Sequence, residues 1–140
     1  MNEVQKDIIE EFSVFDEWLD KYNYLIEMSR EIPEIAQEHR TEKNLISGCQ
    51  SRVWLHASFQ NGKIHFTADS DAIITKGIIA LLLKVLNDRS PAEIKDADMF
   101  FIDEIGLRQN LSPTRSNGLL AMIKQIKLYA IAWDAKTKTS

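Results

Sequence analysis

The stretch Val53-Trp54-Leu55-His56-Ala57-Ser58-Phe59-Gln60-Asn61-Gly62-Lys63-Ile64-His65-Phe66-Thr67-Ala68 reads as a β-hairpin. Val53, Leu55, Ala57 and Phe59 alternate with Trp54, His56 and Ser58, the period-two pattern of a strand with one buried face. Asn61-Gly62 is the favoured pair for a type I′ turn, because both central residues need a positive φ. Ile64, Phe66 and Ala68 resume the alternation on the far side. Two strands alone are marginal in water, so at least one more is expected, and Asn44-Leu45-Ile46 is the candidate.

Helical signals flank the hairpin on both sides. Val4, Ile8, Ile9 and Phe12 suit a short amphipathic helix over residues 2–12. Ser13, with Asp16 three residues on, predicts the start of the next helix. Phe15, Trp18, Leu19, Tyr22, Leu25 and Ile26 carry that helix towards Arg30, ahead of Pro33. Residues 33–48 read as irregular, with one possible helical turn at 34–38. After the hairpin, Asp69 or Asp71 is placed to cap an apolar helix over 72–86. Ser90-Pro91-Ala92-Glu93 opens a short helix with serine, proline and glutamate at their favoured positions. Asp98 opens another, closed by Gly106. Ser112-Pro113 starts the last helix, with Leu119, Met122, Ile123, Ile126, Tyr129, Ala130 and Trp133 on one stripe. Residues 136–140 read as a frayed tail. The order predicts an α+β domain, a small antiparallel sheet packed with helices, as one unit over residues 1–140.

Composition fits that reading. In 140 residues, 44% are hydrophobic and 27% charged, enough for a core without disulfides or metals. A net charge of −4 gives no general footprint for nucleic acid or anionic membrane. The most apolar run, Ile73 to Leu86, is interrupted by Thr75, Lys76 and Lys84, which predicts a buried helix and not a membrane span. The polar N-terminus lacks the pattern of a secretory signal. A cytoplasmic location is expected.

There is a single cysteine, Cys49, in Ser47-Gly48-Cys49-Gln50-Ser51-Arg52. A lone cysteine is most often a small buried hydrophobe. Here it has loop-forming, polar neighbours, and a loop on a rigid scaffold is where function concentrates. The thiolate is the nucleophile, and a cation such as Arg52 would favour it. Ser112-Pro113-Thr114-Arg115 gives a polar helix start whose free N–H groups, aided by Arg115, favour an anion. If that end faces Cys49 it would help hold a charged sulfur. A cysteine hydrolase would need a histidine base. His56 and His65 fall on the polar face of the hairpin, and His39 lies in the irregular stretch. No metal-ligand spacing is present, and Asp69-Ser70-Asp71 reads more simply as helix capping than as a carboxylate site.

Three blocks together resemble the SufE family: Gly48-Cys49-Gln50-Ser51-Arg52-Val53-Trp54, then Asp69-Ser70-Asp71-Ala72 with Ile73-Ile74-Thr75-Lys76-Gly77, then Gly106 to Leu119 around Ser112-Pro113-Thr114-Arg115-Ser116-Asn117-Gly118. Arg40-Thr41-Glu42 with Asn44 fits the lead-in. The resemblance spans roughly residues 20–130, as the order and register of the blocks indicate. It implies a fold related to U-type iron–sulfur scaffolds. It implies that Cys49 accepts sulfane sulfur as a persulfide from a cysteine desulfurase of the SufS or CsdA type, stimulates that enzyme, and passes sulfur to an iron–sulfur scaffold or another acceptor. Gly48, Gln50, Ser51, Arg52 and Arg115 would support the sulfur, and Asp71 would face the partner. The pyridoxal phosphate belongs to the desulfurase, and this chain is expected to bind no cofactor or metal of its own. It would act as a sulfurtransferase-like carrier and not as a stand-alone hydrolase. The alternative is an allosteric activator of the desulfurase for which Cys49 is incidental.

Overall fold

A computed structural model describes residues 1–138. Seven α-helices surround one hairpin: α1 (Asn2–Ser13), α2 (Trp18–Ser29), β1 (Val53–Gln60), β2 (Lys63–Ser70), α3 (Ile73–Leu86), α4 (Pro91–Asp96), α5 (Phe101–Glu104), α6 (Leu107–Asn110) and α7 (Pro113–Lys138). Two single 3₁₀ turns, Gln37–His39 and Glu42–Asn44, lie between α2 and β1. This is the expected α+β architecture. The last helix continues through Lys138, and the rest of the tail read as frayed, residues 139–140, lies outside the described residues.

The hairpin forms with Gln60 opposite Lys63 and Val53 opposite Ser70. Asn61 and Gly62 take φ of 55° and 78°, as the turn requires. The third strand does not form as such. Leu45 makes one bridge to Trp54, and Glu34 makes one to Ala68 on the other side. Arg89 adds a second bridge on the β2 edge at Ile64, and both outer edges of the hairpin are thus partly covered by the irregular 33–48 stretch. Its two 3₁₀ turns break the extended run that a full strand needs.

The apolar helix α3 is the centre of the molecule. Ile78 to Leu83 are all buried, and α1, α2, β2 and α7 each pack on it. Gly77 sets the closest approach: a β-carbon there would stand 2.1 Å from the Leu25 carbonyl oxygen. On α7, the predicted stripe delivers Leu119, Met122, Ile126 and Ala130 to the core.

Three local expectations need correction. Asp98 opens no helix, since α5 starts at Phe101 behind Phe100. Ser13 does not open α2. It ends α1, its hydroxyl donating to the Glu10 carbonyl at 2.6 Å, and α2 begins five residues later at Trp18. The intervening corner wraps the Phe12, Phe15 and Tyr24 rings against one another, with centroids 4.9 to 6.1 Å apart. Nor does an aspartate side chain cap α3, whose first flanking residue is Ala72. The capping box at Ser90 and Glu93 does form.

Candidate functional site

Cys49 sits on a loop tied at both stems. On the entering side, the Ile46 amide donates to the Val53 carbonyl at 2.9 Å. On the leaving side, the Arg52 amide donates to Asp71 Oδ1 at 3.0 Å. The Arg52 carbonyl accepts from Ser70 Oγ at 2.8 Å and from the Asp71 amide at 3.2 Å. Between the stems, Gly48 has a φ of 92°, a backbone shape that side chains with a β-carbon disfavour. The loop therefore turns sharply one residue before the thiol.

The three residues Asp69-Ser70-Asp71 act as a clasp and not as a helix cap. Asp71 and Ser70 hold the loop's exit. Asp69, only 5% exposed, pairs with Arg40 and, at 3.2 Å, with Lys76. Its Oδ1 also accepts from the Ser70 amide at 2.8 Å. The Arg40 guanidinium lies 5.8 Å from the centre of the Trp54 ring. One buried carboxylate thus joins the segment before the cysteine, the end of β2 and the start of α3. A buried carboxylate needs such partners.

Cys49 is half-buried in a pocket of about 460 Å³. The loop contributes Cys49, Gln50 and Ser51; α3 contributes Thr75 and Ile78; Ser112, just before α7, and Thr114, Arg115, Gly118 and Met122 of α7 complete the wall. The polar start of the last helix does face the cysteine. The thiol points at the Gly118 carbonyl, 3.7 Å away. Burial pushes the thiol's pKa up, so the resting structure favours the neutral S–H form. Arg52 is exposed and its side chain is absent from the pocket wall. Its part in the loop is played by its backbone.

The histidines gather elsewhere. His65 Nδ1 meets Asp88 Oδ1 at 2.8 Å. The His39 and His56 rings stack face to face, 3.7 Å apart and 7° from parallel. Their groove is lined also by Lys43 and Tyr129. None of the three lines the cysteine pocket, so the base that a thiol hydrolase requires is not beside Cys49. Sequence reading missed both the stack and the clasp. The clasp had a signal: counting back from the Asn61-Gly62 turn places Arg52 opposite Asp71 and Trp54 opposite Asp69.

Comparison with known proteins agrees with this arrangement. Residues 6–130 match the family described as "SufE: Fe-S metabolism associated domain". An uncharacterized SufE-like protein of Rhizobium etli is 43% identical over 125 residues, covering 86% of this chain and 84% of its own. Another from Rhizobium meliloti is 39% identical, covering 86% and 89%. The fold is shared with the solution structure of a hypothetical protein from Thermus thermophilus, with a TM-score of 0.76, 23% identity, and coverage of 98% and 97%. Among the described residues no helix is long and apolar enough to cross a membrane. The family match over most of the chain, and the relatives at 39–43% identity, establish that this protein belongs to the SufE family.

Proposed function

We propose that the protein is a sulfur acceptor that takes sulfane sulfur from a cysteine desulfurase onto Cys49 and delivers it to iron–sulfur cluster assembly. The observation that carries this reading is the single thiol on a doubly tied loop, half-buried in a pocket with Arg115 on its wall. Family membership supplies the link to iron–sulfur metabolism. The desulfurase would present that sulfur as a persulfide on its own cysteine, its pyridoxal phosphate supplying the chemistry that frees it from substrate cysteine.

Transfer then needs only thiol exchange. The Cys49 thiolate attacks the outer sulfur of the donor's persulfide. A sulfur–sulfur bond forms at Cys49, the donor's own breaks, and the donor cysteine departs as a thiolate. One thiolate is consumed and one released, so no outside oxidant or reductant takes part. Emptying the donor's persulfide in this way frees it for another turnover, which is how the acceptor would stimulate the enzyme. With a single cysteine, the chain cannot discharge its sulfur by forming an internal disulfide. The raised thiol pKa assigns a role to loop opening: ionisation, and hence attack, is easier once the sulfur leaves the pocket.

The test is intact-protein mass spectrometry after incubation with a SufS-type desulfurase, pyridoxal phosphate and cysteine. The expected result is a gain of one or more sulfur atoms, absent in Cys49→Ser. No gain from a donor shown to be active would sink the acceptor reading. Undiminished stimulation of that donor by Cys49→Ser would move the case to allosteric activation.

A further inference from the structure

Gly118 stands in the sixth position of a 26-residue helix. Glycine is the poorest helix former after proline, so its presence there asks for a reason. Backbone shape gives none, because the positive-φ glycines are Gly48, Gly62 and Gly106. Crowding gives none either. At Gly77 a β-carbon would collide with the Leu25 backbone, but at Gly118 it would meet a single atom within 4 Å, the Cys49 sulfur, at 3.7 Å. That is ordinary van der Waals contact. In the resting protein, with a bare thiol, alanine fits.

The situation changes when the sulfur is loaded. A persulfide replaces the S–H hydrogen with a sulfur atom about 2.05 Å from Sγ. The S–H bond is directed at the Gly118 carbonyl. A sulfur cannot lie on the line to that oxygen and must turn off it about the Cβ–Sγ bond; the open space beside the thiol is the pocket that Gly118 lines. A β-carbon on Gly118 would stand 3.7 Å from Sγ, within reach of a sulfur bonded there.

We infer that the missing side chain of Gly118 is the socket for the terminal sulfur of the Cys49 persulfide, making Gly118 the residue that lets the loaded loop close. It is a positioning residue: it leaves the thiol untouched and discriminates between empty and loaded states. This rests on the sulfur-acceptor reading for its biological meaning, but its chemistry does not require the desulfurase.

The experiment loads wild type and Gly118→Ala with inorganic polysulfide, removes excess reagent, and follows persulfide loss to glutathione by intact mass. Thermal melting of the reduced proteins is recorded in parallel. The variant is expected to melt no lower than wild type and to lose its persulfide about tenfold faster, the scale of one overpacked methyl group in a formed cavity. Equal lifetimes would overturn the proposal. So would a lower melting midpoint for the reduced variant, since the argument requires that alanine be accommodated there. Failure of a desulfurase to load the wild type would count against the acceptor reading alone, because polysulfide loading bypasses that enzyme.

Discussion

At Cys49 burial opposes ionisation, and this has two measurable sides. Alkylation by iodoacetamide should titrate with a midpoint above the ordinary thiol value of about 8.5, because the pocket disfavours the thiolate. Stability should follow the same group. As pH rises past the ordinary thiol value, the unfolded chain gives up this proton before the folded one does. The contribution of Cys49 is therefore full at neutral pH and is lost as pH climbs through the raised folded value. Comparing denaturation midpoints of wild type and Cys49→Ser across that window isolates it. Asp71 is the neighbouring lever. Asp71→Ala removes the acceptor for the Arg52 amide, a loss of about 1 kcal/mol. If that bond holds the loop closed, alkylation of Cys49 should quicken about fivefold. An unchanged rate would show that the backbone bonds at Arg52 suffice. The sequence made the cysteine and its loop legible, because glycine and polar residues before a strand mark a loop. It did not reveal the direction of the thiol's shift, since burial depends on how α3 and α7 close over the loop.

Among elements, the pairing of α2 with α3 depends on one missing side chain. Gly77→Ala forces a β-carbon to within 2.1 Å of the Leu25 carbonyl oxygen. Backbone cannot yield there as a flexible side chain would, so the helices must separate. A loss of about 3 kcal/mol is expected, at the upper end for overpacking, and chemical denaturation measures it. The contrast with Gly118→Ala is informative, because two helical glycines then respond oppositely to the same change. Ser90→Ala should cost about 1 kcal/mol through loss of the reciprocal cap on α4. That cap was readable from four consecutive residues, as was the hairpin turn, because both are local chemistry. The α1–α2 corner was not. Ser13 has the residue type of a cap, but the three-ring cluster around Phe12 decided where the chain turned. Local propensity yields to packing in such cases.

On the scale of the whole molecule, a two-stranded hairpin is held by what surrounds it. Its outer edges are occupied by isolated bridges, from Leu45 on β1 and from Glu34 and Arg89 on β2, and its inner face rests on α3 and α7. The Arg40–Asp69–Lys76 cluster ties these layers together. Asp69→Asn leaves two cations facing a neutral amide. Both are partly exposed and can regain water, so the expected cost is about 2 kcal/mol, below that of breaking a fully buried pair. Melting should report that loss, and Arg40→Lys should also lower the midpoint, because lysine lacks the planar guanidinium that meets Asp69 while lying 5.8 Å from the Trp54 ring centre. The fold class was legible as a sequence of signals. The edge covering was not, because single bridges leave no periodic trace over residues 33–48.

The two ties at the base of the cysteine loop fix how far it can travel. Six residues, 47–52, lie between Ile46 and Val53, whose backbone bond closes the loop. Fully extended, such a segment has a contour of about 20 Å, so its tip rises no more than about 10 Å above its stems. Whatever hands sulfur to Cys49 must bring it within that height. A donor cysteine at the bottom of a narrow shaft is out of range, and one on a rim or on an extended finger of its own is within it.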